Sequence, residues 1–438
     1  MTRPPASPLR LLRSLAAPTP TVGGEAAPVR PTRRAASRRT AAFVLPLAFC
    51  ASLPAAGLSQ AAAPAVDAKA AIVVDARTGE TLHARRPDAR LPIASTTKLM
   101  TALLLLERAR PSDVFTAASY RASPTESQIG LRPGERVRVR DLLTALLLES
   151  ANDAAVTIAR NVSGSRRAFV AYMNRRAREL GLASTTYGNP VGFDSPRNRS
   201  TARDLAVLSR RLLRVPLFAR TVDRPRARLR SGARRRTVRN RNTLVAAHSF
   251  VDGVKTGHTL GASYVLIGSA SRRGARVLSV VLGAPSEAAR NAGSLTLLRW
   301  GLSRYERRRL VAPQRTVARR PVAGRDSQVA LVAPRALTAT VRRDRRPAVR
   351  VRAAGEVEGP LPAGRRAGRV EVVDGRSVIA SSPLVTAAAV PAPSLLGRLG
   401  GRLATVAGLT LLVLLAIVLG AAVLRSRRQR RRATVEAR

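Results

Sequence analysis

The chain has 438 residues, 45% of them apolar, which is enough for two or three domains at roughly 100–200 residues each. Basic residues outnumber acidic ones 77 to 26, a formal net charge of +51. Such an excess suits nucleic acid, anionic lipid or an acidic polymer, but its spread along the chain equally fits a general preference for arginine, with most side chains simply solvated. Cys50 is the sole cysteine, which excludes an intrachain disulfide and a cysteine metal site.

Residues 1–66 read as a basic, Pro- and Ala-rich region followed by a signal peptide. The run Ala41 to Leu53 is apolar, Arg38-Arg39 precedes it, and the small residues Ala61-Ala62-Ala63 supply a cleavage site. The arginine pair leaves Sec and twin-arginine export both open, and the length of the basic region leaves open a start further downstream. Phe49 before Cys50 argues against lipid attachment there.

From Ala71 the pattern predicts a strand, a Thr78-Gly79 turn and a return strand. Ala94-Ser95 opens a helix that stops before Pro111, and further helices are expected over 141–148, 154–160, 167–180 and 202–213. Strands follow an Arg-rich stretch, over 250–259, 263–269 and 277–282, and a helix over 286–302 closes a domain spanning 67–310. Residues 315–387 lose helical periodicity and read as a small β-rich domain, with a hairpin around Asp374-Gly375. A linker, 388–402, leads to 403–424, which carries no charge and is long enough to span a bilayer. The arginines of 425–438 then mark a cytoplasmic tail, so everything before Leu403 lies outside the cell membrane in a single-pass arrangement. That placement argues against a nucleic-acid partner.

Three short motifs occur in order. Ser95-Thr96-Thr97-Lys98 puts a hydroxyl and an amine three residues apart at a helix start, on one face. The helix N-terminus disfavours a cation, helping Lys98 stay neutral and take the serine proton. Ser150-Ala151-Asn152 offers a relay hydroxyl and an amide between two helices. Lys255-Thr256-Gly257 sits on a strand, with a cation and hydroxyl for a carboxylate and a glycine for close backbone approach. Only three lysines exist, Lys69, Lys98 and Lys255, and two fall in these motifs; a lysine can release its proton where arginine does not. Ser-x-x-Lys alone is expected by chance roughly once or twice in a chain this long, and Ser95 alone reads as a helix cap. The ordered set, each motif in its helix, loop or strand context, is far more specific.

With these motifs placed, the chain resembles the serine D-Ala-D-Ala carboxypeptidases, the low-molecular-mass penicillin-binding proteins of peptidase family S11. The resemblance extends over about residues 67–305 and includes Asn189-Pro190-Val191-Gly192-Phe193, Ser200-Thr201-Ala202-Arg203-Asp204 and Val251 to Thr259. It implies a mixed α/β fold: a β-lactamase/transpeptidase-like antiparallel sheet flanked by helices, then a small all-β domain and a C-terminal transmembrane helix. It further implies cleavage of the terminal D-Ala from peptidoglycan stem peptides through an acyl-enzyme, with no cofactor. Ser95 would be the nucleophile, Lys98 the base and Ser150 the proton relay. Asn152, Lys255, Thr256 and Gly257 would bind substrate, and the backbone N–H groups of Ser95 and His258 would hold the oxyanion. β-Lactams would act as inhibitors by mimicking the substrate terminus. His83 and His248 stand at no metal-ligand spacing, so no metal is expected. Three other readings compete: a D,D-endopeptidase, a β-lactamase (disfavoured by Ala151 in the second motif), and a binding module for anionic wall polymers.

Overall fold

The computed structural model describes residues 63–392 and 408–425. Cys50 and the segments expected as basic leader and signal peptide lie outside those residues, as do most of the expected linker and cytoplasmic tail.

Five strands form the central sheet: β1 (Ala70–Asp75), β2 (Thr81–Arg85), β3 (Val251–Thr259), β4 (Ser263–Arg272) and β5 (Ala275–Ala284). Their order is β2-β1-β5-β4-β3, and every neighbouring pair is antiparallel. β1 is buried at all six positions because both faces of the sheet are covered. Ala70, Ile72 and Val74 face the larger core, whereas Ala71 and Val73 face a second one, the period of two that a strand imposes.

The larger core is built by α1 (Lys98–Arg108), α2 (Val139–Thr144), α3 (Asn152–Ser163), α4 (Arg166–Glu179), α5 (Ala202–Leu213) and α6 (Pro216–Val222). α1 is the central helix. Its Leu99, Met100 and Leu103 to Leu106 are all buried, as a helix apolar on every face must be. The opposite face of the sheet is covered by α7 (Glu287–Ser303). Where α4, α5 and α7 begin, the side chains of Ser165, Thr201 and Ser286 each accept a hydrogen bond from a backbone N–H three residues on, the usual helix-start cap.

The next described elements after α7 are seven strands: β6 (Tyr305–Val311), β7 (Thr316–Pro321), β8 (Gln328–Val332), β9 (Leu337–Arg342), β10 (Ala348–Ala353), β11 (Arg366–Asp374) and β12 (Ser377–Thr386). Five of these form a sheet ordered β7-β8-β12-β11-β10, and β6 pairs separately with β9. The strand β6 begins at Tyr305, directly after α7, so the change to β structure falls earlier than the loss of helical periodicity suggests. The hairpin around Asp374-Gly375 joins β11 and β12. The last described element is α8 (Gly408–Arg425), 18 residues with mean hydropathy 2.4 over that window.

The Arg-rich stretch left without elements in the sequence holds α6 and a ribbon, Arg226–Leu229 against Arg236–Arg239. Two carboxylates fasten this ribbon. Asp141 accepts from the N–H groups of Arg230 and Ser231 and from Ser231 Oγ. Glu135 takes both ends of the Arg236 guanidinium, at 2.7 and 2.9 Å, and the Ala233 N–H. Burial alone would raise the Glu135 pKa, but the bonds from Arg236, Arg132 N–H and Ala233 N–H outweigh it and hold the carboxyl at about 2.

Glu135→Ala leaves the Arg236 guanidinium, 7% exposed, without its partner, and is expected to cost about 3–5 kcal/mol. The single tryptophan, Trp300 in α7, reports guanidinium unfolding of the full chain in detergent. A loss under about 1 kcal/mol would show the pair to be no better than a surface bridge. The carboxylate's contribution is present above the unfolded value near 4.3 and fades as pH falls toward about 2.

Candidate active site

The Ser-x-x-Lys begins as a 3₁₀ turn, Ala94–Thr97, and becomes α1 at Lys98. A 3₁₀ turn eclipses residues i and i+3, so Ser95 and Lys98 stand one above the other. Lys98 Nζ donates to Ser95 Oγ at 2.9 Å and to the Val191 carbonyl at 2.6 Å. The lysine is fully buried while Ser95 remains partly open. Burial and then the charge of Lys255 push Lys98 well below the ordinary lysine range; Glu126 and Asp153 pull the other way. A dry pocket and a second cation thus act beside the helix start in keeping this amine neutral.

The turn before Ser95 is held from behind. Ala94 sits at φ +44°, and the 189–193 loop packs against it. Asn189 Oδ1 accepts from the N–H groups of Val191, Gly192 and Phe193, curling the loop so that the Val191 carbonyl meets Lys98. Gly192, at φ +102°, passes so close that a Cβ would overlap the Ala94 carbonyl oxygen and lie 2.8 Å from Ser95 N. Thr101 Oγ1 donates to the Pro190 carbonyl at 2.8 Å, and Asn198 Nδ2 donates to Thr97 Oγ1 at 3.0 Å.

Ser150 ends a π-helical turn, Ala145–Glu149, in the left-handed region at φ 64°. The extra residue of such a turn re-aims the chain, a device common at functional sites. Asn152 opens α3, and its Nδ2 donates to Glu126 Oε2 at 2.9 Å. Glu126 also accepts from the Tyr120 hydroxyl in a short bond and from Ser123 N–H. Burial would raise its pKa; the bonds from Tyr120, Ser123 and Asn152, with the Lys98 charge, bring it below the ordinary value. Asp153 accepts from the Ile129 and Leu131 N–H groups, pinning the same loop. Tyr120 and Glu126 carry no motif. Only the carboxylate beside the second motif, Asp153, hints in the sequence that a loop is anchored there.

Lys255, Thr256 and Gly257 lie on the edge strand β3. Lys255 is 1% exposed, and its Nζ donates to the Thr256 carbonyl at 2.9 Å. Burial first, then repulsion from Arg241 and Arg290, lowers its pKa to about 7, with Glu149 opposing. A Cβ at Gly257 would lie 2.9 Å from Ser95 N and 3.0 Å from Ala94 Cβ, so β3 runs directly past the serine. His258 is exposed, its ring stacked on Tyr264 with centroids 4.2 Å apart. The third lysine, Lys69, is exposed, so the two motif lysines are the two buried ones.

This arrangement can neutralise one lysine beside a hydroxyl and present a second cation on an adjoining strand, the elements of nucleophilic attack on a carbonyl next to a carboxylate. Residues 58–286 match the family model described as D-alanyl-D-alanine carboxypeptidase. The D-alanyl-D-alanine carboxypeptidase DacF of Bacillus subtilis is 36% identical over 259 residues, covering 58% of this chain and 67% of that protein. DacD of Salmonella typhimurium is 32% identical over 353 residues, 77% of this chain and 90% of that one. Among solved structures, penicillin binding protein 5 from Haemophilus influenzae has a TM-score of 0.54 at 29% identity, covering 75% of this chain and 98% of that chain.

Two glycines with positive φ isolate the packing behind Ser95. Gly164, at φ +72°, has nothing near its would-be Cβ, whereas Gly192 at φ +102° abuts Ala94 and Ser95. Gly164→Ala should cost about 1 kcal/mol, the left-handed penalty alone, and lower Tm by roughly 2–4 °C. Gly192→Ala should lower it at least twice as far. Equal shifts would mean that the loop moves aside freely.

Proposed function

Because the chain belongs to the D-alanyl-D-alanine carboxypeptidase family, we propose that Ser95 is the nucleophile with which it removes the terminal D-Ala of peptidoglycan stem peptides. The observation that carries this assignment is the 2.9 Å hydrogen bond from Lys98 Nζ to Ser95 Oγ, made by an amine held well below its ordinary pKa. A neutral Lys98 takes the hydroxyl proton as Oγ attacks the carbonyl carbon between the two D-alanines. The carbonyl oxygen becomes an oxyanion on backbone N–H groups of Ser95 and His258. Its collapse breaks the C–N bond, and Ser150 passes a proton to the departing D-Ala amine. Water then cleaves the Ser95 ester, returning the proton to the serine.

Asn152, steadied by Glu126, orients the acyl chain through its amide, and Gly257 lets the substrate backbone lie close to β3. Lys255 with Thr256 receives the terminal carboxylate. That role needs Lys255 protonated while the base role needs Lys98 neutral, and the two requirements fix the pH dependence. β-Lactams acylate the same serine. The apolar α8 anchors the chain as a single membrane span with the catalytic portion outside the cell.

The test is D-alanine release from a diacyl-Lys-D-Ala-D-Ala peptide by the full chain in detergent. Ser95→Ala should lower it by about 10³-fold or more, and an unimpaired variant would remove Ser95 from the mechanism. For the wild type, kcat/KM should fall as pH rises through about 7, where free Lys255 loses its proton. Arginine stays charged, so in Lys255→Arg that descending limb should move beyond the alkaline end of the profile. A limb that stays in place assigns it to another group.

A further inference from the structure

Away from the serine, the two-residue turn between β4 and β5 carries Arg273 at φ +51° and Gly274 at φ +85°. A left-handed pair suits this tight hairpin, but Asn, Asp or Gly is the ordinary first residue. Arginine here, beside Arg272, turns two guanidinium groups toward the junction with the second β unit.

Two cavities meet at this turn, and both are lined by Arg272 and Arg273. The first, about 590 Å³, also takes Arg77, Arg210, Arg214 and Arg276, and no acidic side chain lines it. The second, about 500 Å³, adds Arg299, Arg307 and Arg343, with Glu306 as its one acid. Arg77, Arg276 and Arg343 are committed to Asp374, Asp252 and Glu306. Among the described residues, Arg210, Arg214, Arg272, Arg273, Arg299 and Arg307 make no ion pair. Arg210 donates to the carbonyls of Ala76 and Arg77, and burial and the neighbouring Arg214 lower its pKa against the opposing charge of Asp75. Elsewhere this chain commits an acid where an arginine is buried, as at Glu135–Arg236 and Glu107–Arg176. Here like charges converge around a single lining acid, Glu306, which is already shared between Arg308 and Arg343.

We propose that these adjoining cavities form one groove that binds an anionic polymer with phosphodiester-spaced charge. Guanidinium forks match phosphate oxygens two at a time, and two cavities that share Arg272 and Arg273 can take repeated anions rather than one. A polymer is favoured over a membrane surface because the arginines line concave spaces, whereas a bilayer requires a convex or planar face. The groove is separate from the serine. Arg272 is five residues along β4 from Ile267, the partner of Lys255, or roughly 17 Å at 3.4 Å per residue. Its occupation is thus independent of the hydrolytic reading, and a chain bound there holds the site beside the wall without entering it.

The test is binding of a glycerol-phosphate oligomer to the full chain in detergent, by fluorescence anisotropy at fixed salt. Arg214→Gln with Arg272→Gln removes two exposed, unpaired charges from the groove. Arg160→Gln with Arg178→Gln removes two from α3 and α4. The groove pair should weaken binding at least tenfold, about 1.4 kcal/mol, and the control pair less than twofold. D-alanine release by both should match wild type, which certifies the fold. Equal weakening by the two pairs would reduce the effect to overall charge and overturn the site. Loss of phosphatidylglycerol-vesicle binding in the groove pair, with the oligomer unbound throughout, would replace the polymer by a lipid headgroup and also overturn it.

Discussion

Two lysine amines share one dry site, and they cannot both be charged there without great cost. Lys98 and Lys255 are both buried, and the charge of Lys255 is a principal reason that Lys98 gives up its proton. Taking Lys255 from its ordinary 10.5 to about 7 means that holding it charged in the free chain costs roughly 5 kcal/mol. Below pH 7 the folded chain bears that cost in full. Between about 7 and 10.5 the unfolded chain binds a proton the folded chain has released, so stability rises with pH across that window. The site holds electrostatic strain that a carboxylate bound as proposed at Lys255 would relieve.

That constraint explains how the neighbouring elements are built. A neutral amine acting as base needs partners in fixed places, and Lys98 has them in Ser95 Oγ and the Val191 carbonyl. The carbonyl is fixed by Asn189, which curls its loop through three backbone N–H groups. The serine turn is trapped between that loop and β3, with Gly192 on one side and Gly257 on the other. Both positions exclude a Cβ for the same reason: backbone must touch backbone for two distant segments to set one hydroxyl. The packed leucines of α1 and the doubly covered sheet supply the rigidity on which these contacts depend.

Much of this was legible in the residues. The apolar runs of β1, β4 and β5, the central helix after Ser95 and the C-terminal apolar helix were readable from composition and turn residues. The scarcity of lysine pointed to the two residues that turn out to be buried together. Other parts carried no local signal. Glu126 holds Asn152 from 26 positions away, a contact that only the folded loop creates. The ribbon 226–239 is so rich in arginine that its strand pattern is hidden; its edges are fixed by Glu135 and Asp141, residues nearly a hundred positions earlier. The strand β6 falls between the helix expected over 286–302 and the β-rich region expected from 315, because its pairing with Val341 and Thr340 rather than its own periodicity makes it a strand.

The junction between the sheet-and-helix part and the β strands after α7 shows how a chain short of acids spends them. Tyr305 donates to Asp75 at 2.6 Å, Arg342 and Arg345 reach Glu80, and Arg77 reaches Asp374. The half-exposed pairs each contribute little, at most about 1 kcal/mol. The half-buried Tyr305–Asp75 bond, which removes a hydroxyl and a carboxylate from water together, contributes more. Every one of these acids also lies at a turn or strand end, where it already holds its own backbone or a nearby guanidinium. Among the described residues none of these acids pairs with Arg210, Arg214, Arg272 or Arg273, and Arg214 repels Arg210. A polyanion bound as proposed would supply negative charge there, and arginines from both sides of the junction could then share it.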